Sequence, residues 1–114
     1  MKKSTIKIEI ELNEDKHPNK ITWHSDDNPS GNGPAEAKAM LLSLFDKDYK
    51  DTFKIDLWTP EMQVVEMDRF MFQTLKSLAD TYFTATRNSE LASAIRSLSD
   101  YFGQETGIIP KQDK

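Results

Sequence analysis

Residues Ser4 to Leu12 alternate without a fault, with Ile6, Ile8, Ile10 and Leu12 on one parity and Thr5, Lys7, Glu9 and Glu11 on the other. A period of two sends successive side chains to opposite faces, so this run predicts a half-buried strand. NEDKHPN is a turn cluster in which Pro18 cannot donate to a ladder, and a second strand follows with Ile21 and Trp23 on a shared face. A hairpin is the simplest connection.

SDDNPSGNGP gathers loop-forming residues and leads into AEAKAMLLSLF, with Pro34 suited to a first helical position. At about 100° per residue Ala37, Met40, Leu41, Leu44 and Phe45 share one face, which predicts a short amphipathic helix. After DKDYKD, alternation returns with Phe53, Ile55 and Leu57 against Thr52, Lys54, Asp56 and Trp58, a third strand. Thr59, Pro60 and Glu61 have the character of a helix start, and the helix they open is expected to run to near Thr84. Its apolar arc is too wide for one neighbour and predicts packing on the sheet and on the last helix. That last helix starts after Asn88 or Ser89, carries Leu91, Ile95, Leu98 and Phe102, and ends near Gly103 or Gly107.

The order β-β-α-β-α-α predicts an α+β fold. A crossover from the second strand to the third gives a three-stranded antiparallel sheet in the order 2-1-3, with the helices packed on one face. The other face would hold Lys7, Glu9, Glu11, Lys20, Thr22, His24, Lys54 and Asp56, a solvated surface. Residues 1–109 are expected to form a single domain and 110–114 a flexible C-terminal tail. With 114 residues the chain has the length of one domain.

Charge adds little direction. Nine basic and eleven acidic residues precede residue 58, and six and eight follow, so both halves carry the same small negative excess. Nothing there points to nucleic acid. The absence of cysteine removes thiolate nucleophiles and cysteine-held metal, and fits a reducing compartment. MKKSTIKIEIEL lacks the apolar core of a secretory signal, and the longest apolar run is far short of the ~20 residues of a spanning helix. A cytoplasmic protein without membrane insertion is expected.

Candidate chemistry is sparse. Asp26, Asn28, Ser30 and Gly31 fit the early positions of a calcium loop, but the final bidentate carboxylate is replaced by Ala37. A small-ligand or metal-binding domain built on the Asp26–Gly33 loop is therefore the alternative reading, and an Asn/Asp/Gly turn the plain one. Phosphate binding ahead of the expected helix is opposed by Pro34, which removes a donor, and by Asp26 and Asp27. His17 and His24, with Asp26, would form a metal set only if the hairpin brought them together. No nucleophile–base pair or matched carboxylates stand out, so no catalytic residue, cofactor or metal is assigned and a non-enzymatic role is expected. Two residues break the pattern. Asp68 lies inside an apolar arc, where it must cap a helix that begins later or find a donor. Trp58 falls on the polar parity of its strand, as an interface anchor or as cover for the next helix.

The stretches EAKAMLLSLFD, FKIDLWT, EMDRFMFQTLKSLADTYFTAT and YFGQETGI, with the opening KKSTIKIEIELNEDKHPNKITW, resemble the gliding-motility-associated protein GldC family from Lys2 to near Ile109. The resemblance rests on Glu36 to Leu41, Asp56, Leu57, Trp58, Gln73, Thr74, Asp80 and Tyr101 in joint order, and on no chemical motif. It implies an accessory component of bacterial gliding motility with no assigned enzymatic activity, a process without a mechanism. The expectation that joins it to the residues is a soluble protein-protein interaction module whose partner is a protein of the gliding or associated secretion machinery. The expected contact surface is then Trp58, Lys54 and Asp56, with His24, or the exposed edge of the third strand. Dimerisation through that strand is a further reading.

Overall fold

In the computed structural model, which describes residues 1–27 and 33–111, the chain is α+β. Its elements are β1 (Ile6–Leu12), β2 (Pro18–Ser25), β3 (Ala35–Ala37), β4 (Ala39–Phe45), β5 (Thr52–Trp58), α1 (Val64–Thr86) and α2 (Ser89–Thr106). They fall into two compact units, Met1–Met62 and Gln63–Lys114.

The alternating opening makes β1, which pairs antiparallel with β2 as the turn cluster predicts. Asn13 builds the turn, its side-chain oxygen accepting from the backbone N–H of Asp15 at 2.9 Å and of His17 at 3.0 Å. The register slips between Glu11 and Leu12, where Pro18, with no N–H to give, faces the irregular position. β3 joins the far side of β2, so the sheet order is β1-β2-β3. The expected order 2-1-3 is therefore incorrect: β2 is central and β1 is an edge. Position explains burial here, because Ile21 on the central strand is 1 % exposed while Ile6 on the edge is 69 % exposed. Ile6, Ile8, Ile10, Ile21, Trp23, Ala35 and Ala37 share one face, and Lys7, Glu9, Thr22, His24 and Glu36 share the other.

The expected helix over AEAKAMLLSLF is not formed. A bend at Lys38 divides the segment into β3 and β4, and β4 pairs with β5 in a separate two-stranded sheet. Ala, Met and Leu favour helices in isolation, but apolar residues occupy both parities here, a pattern equally suited to a strand with two apolar faces. Pairing decides: Met40, Leu42 and Leu44 share a face with Leu57, Ile55 and Phe53, a cross-strand apolar ladder that a helix would forgo. The connection is tied by Asp46, whose carboxylate accepts from the N–H groups of Asp48 at 3.0 Å and Tyr49 at 2.7 Å. Lys54 and Asp56 thus belong to a different sheet from Lys7, Glu9, Thr22 and His24, and the expected single polar face is divided.

Thr59 does not begin a helix. Its N–H extends the hairpin ladder to Lys38 O at 2.8 Å and its carbonyl accepts from Met62 N at 3.0 Å, which commits it to a turn. α1 begins at Val64 after Gln63, whose N–H donates to Glu66 Oε1 at 3.0 Å. It ends at Arg87, left-handed at φ 60°, with its guanidinium over the Phe83 ring at 5.3 Å. Asn88 then caps α2 by accepting from Leu91 N at 3.0 Å, close to the expected start.

The two helices form a hairpin whose contact is made by small residues. Ala79 of α1 and Ala92, Ser99 and Gly103 of α2 are buried, and Phe72 lies over Gly103. A Cβ at Gly103 would sit 2.6 Å from Phe72 Cε1 and 3.0 Å from Ile109 Cγ1. Gly103 is therefore a close-approach position inside the helix, and Gly107, left-handed at φ 79°, is the terminator. Ile109 is held by its N–H to Gly103 O at 3.1 Å. Of the expected tail, Pro110 and Lys111 are described, and Lys111 Nζ lies 3.6 Å from a Glu105 carboxylate oxygen. Gly103→Ala should destabilise the chain by about 1–2 kcal/mol in urea unfolding, because the clash with a buried ring exceeds the gain in helix propensity. Ser99→Ala should be neutral or stabilising in the same assay, since the buried Ser99 hydroxyl has no hydrogen-bond partner among the described residues.

Candidate functional site

The residues expected to form a contact surface divide into two groups. Lys54, Asp56 and Trp58 occupy alternate positions of β5 and stand opposite Ser43, Leu41 and Ala39 of β4, so all three project from one face of the hairpin. Lys54 Nζ lies 3.4 Å from Asp56 Oδ2, an exposed pair worth little by itself. Trp58 is 59 % exposed, a large apolar area left in water by an otherwise polar row. His24 is elsewhere: it stands in β2 opposite Lys7, half-buried, and the structure does not bring it to Trp58.

The start of the 59–62 turn forms one wall of a cleft of about 470 Å³ next to Trp58, lined by His17, Pro18, Asp56, Leu57, Trp58, Thr59, Pro60 and Met62. Sequence reasoning singled out Trp58 and missed the cleft, because Pro18 and Pro60 are far apart in the chain and come together only through the two hairpins. Pro60 is in the turn that the sequence assigns to a helix start. Thr59 in the lining is 3 % exposed, and its hydroxyl has no hydrogen-bond partner among the described residues. The mix of ring, proline and thioether surface with one carboxylate and one imidazole suits a short apolar peptide segment. No proton-transfer pair faces the cleft at hydrogen-bonding distance among the described residues.

The expected metal and anion sites fare differently. His17 directly precedes β2 and His24 stands near its far end, on the order of 20 Å away at strand rise, so the imidazole pair is not assembled. Among the described residues no three His, Asp or Glu side chains converge. Asp26 accepts from Thr5 N at 3.0 Å and Asp27 accepts from Ser4 Oγ, which ties both carboxylates to the start of β1. Asn28, Ser30 and Gly31 of the expected calcium loop lie outside the described residues. The phosphate reading loses its helix, since Pro34 leads into β3. Asp68 does not cap either: it is half-buried, a full turn inside a helix that starts at Val64. The hydrogen bond from Lys7 to Glu9 and that carboxylate's charge hold the Lys7 ammonium pKa above its ordinary value.

No described helix is long and apolar enough to cross a membrane. No curated protein and no solved structure matches the chain. A family model described as gliding motility-associated protein GldC-like matches residues 18–108, from the first residue of β2 to just beyond α2, and takes in the lining of the Trp58 cleft apart from His17. With that match spanning most of its length, the chain belongs to the GldC-like family of gliding motility-associated proteins.

Proposed function

We propose that this chain is a non-enzymatic accessory protein of bacterial gliding motility, working in the cytoplasm as an interaction module for a protein of the gliding or associated secretion machinery. The observation that carries the reading is Trp58, 59 % exposed beside a cleft of prolines and Met62 and flanked on its strand by Asp56 and Lys54. An exposed tryptophan at the rim of an apolar cleft is the type of anchor that dominates binding energy at protein interfaces. The alternating cation and anion on the same face give orientation, with little affinity of their own. Family membership supports the process, and the exposed hairpin face supports this choice of surface.

Affinity capture from gliding cells with the tagged chain tests the reading. Trp58→Ala should lose a motility protein that the parent chain retains, with Lys54→Glu weakening capture less and in a salt-dependent way. Retention of every partner by both variants contradicts the surface assignment. The geometry has its own check in fluorescence quenching. With Trp23 as sole tryptophan in Trp58→Phe, emission should be bluer and less accessible to acrylamide than with Trp58 as sole tryptophan in Trp23→Phe.

A further inference from the structure

The outer edge of β5 is an open row of backbone donors and acceptors, and hydrogen-bond parity settles which ones face outward. Asp46 N donates to Asp51 O at 2.8 Å and Thr59 N to Lys38 O, in step with the register Leu44 to Phe53, Leu42 to Ile55 and Met40 to Leu57. Phe53, Ile55 and Leu57 therefore aim their N–H and C=O groups at β4, and Thr52, Lys54, Asp56 and Trp58 aim theirs away. Among the described residues no strand occupies that edge, and every residue of β5 except Leu57 is exposed.

We propose that two copies of this chain pair antiparallel through their β5 edges, about a two-fold axis at Ile55, into a four-stranded sheet in which each Lys54 faces the partner's Asp56. An antiparallel ladder joins outward-facing residues only to outward-facing residues. Centring on Ile55 meets this condition along the whole strand. Thr52 meets the partner's Trp58, Lys54 meets the partner's Asp56, and Phe53 meets the partner's Leu57 on the other face. Two opposite-charge pairs form and no like charges oppose. The apolar rows Phe53, Ile55 and Leu57 of the two copies become continuous across the axis, covering surface now exposed at Phe53 (64 %) and Ile55 (37 %).

The occupant is a second copy because β5 is complementary to itself, its outward-facing positions and its Lys54 and Asp56 charges both matching about Ile55. The other candidate edges are less favoured. The outer edge of β4 carries no charge between Ala39 and Phe45 to select a register. β1 would place Lys7 opposite the partner's Glu9, but β1 already belongs to three strands, whereas β4 and β5 alone are below the number that is stable independently. This inference goes beyond the Trp58 reading and is tested without the motility partner.

Sedimentation velocity of the full chain over a concentration series at low salt should show a monomer–dimer equilibrium. Lys54→Asp and Asp56→Lys each set like charges against each other and should weaken self-association about tenfold or more. Mixed together they should form a heterodimer, since Asp at 54 and 56 of one copy then faces Lys at 56 and 54 of the other. An effect on folding of either chain would not be repaired by mixing. A parent chain that stays monomeric throughout, single variants that dimerise as well as the parent, or a mixture that stays monomeric would each overturn the proposal. The chain has no cysteine, so Ile55→Cys offers a second reading. Opposed residues at the axis would stand about 4.5 Å apart at Cα, within disulfide range, and mild oxidation should cross-link the dimer. Cross-linking of Ile8→Cys in place of Ile55→Cys would move the interface to β1 and overturn the proposal.

Discussion

The pairing of β4 with β5 is the interaction on which the rest of the first unit depends. It takes Ala39–Phe45, a segment with good intrinsic helix propensity, and fixes it as a strand by matching Met40, Leu42 and Leu44 to Leu57, Ile55 and Phe53. The same ladder places Trp58 opposite Ala39 and carries the chain through Thr59 into the turn at Pro60. It also fixes the parity of β5. The outward amides of Lys54 and Asp56 follow from this one register, and the cleft beside Trp58 combines it with the β1–β2 hairpin that supplies His17 and Pro18.

The legible parts of the fold were those with a single clean period. β1, β2 and β5 show strict or near-strict alternation, and α2 shows a helical stripe between an Asn cap and a Gly terminator; all four stand where those patterns put them. The segment over residues 35–45 was not legible, because with apolar residues on both parities its pattern satisfies a helix and a two-sided strand equally. Only the partner strand discriminates, and that is nonlocal information. One wrong element then changed the topology, since a helix between the second and third strands demands a crossover and two further strands do not. The start of α1 differs from the expected one for a nonlocal reason as well: Thr59-Pro60 has the composition of a helix start, but Thr59 N extends the hairpin ladder to Lys38 O and its carbonyl closes a turn with Met62 N. Within the candidate site Trp58, Lys54 and Asp56 were legible from parity, His24 was grouped with them only through the wrong sheet order, and the cleft had no sequence signal.

The second unit shows a different economy. Its helices meet through Ala79, Ala92, Ser99 and Gly103, and side chains this small allow the backbones to approach until Phe72 fills the space over Gly103. Several larger apolar residues of both helices, Leu78, Leu91, Leu98 and Tyr101 among them, stay exposed. Both units thus carry large apolar side chains in water, Phe53 and Trp58 in the first and Leu78 and Leu98 in the second. Membership of the GldC-like family associates the chain with gliding motility.

Amide hydrogen exchange along β5 tests the central claim most directly. At low concentration Phe53, Ile55, Leu57 and Thr59 should be protected by β4, while Thr52, Lys54, Asp56 and Trp58 exchange quickly and gain protection as concentration rises. Uniform protection of all eight that does not change on dilution, or helical protection running through residues 39–45, would contradict the register from which the surface is derived.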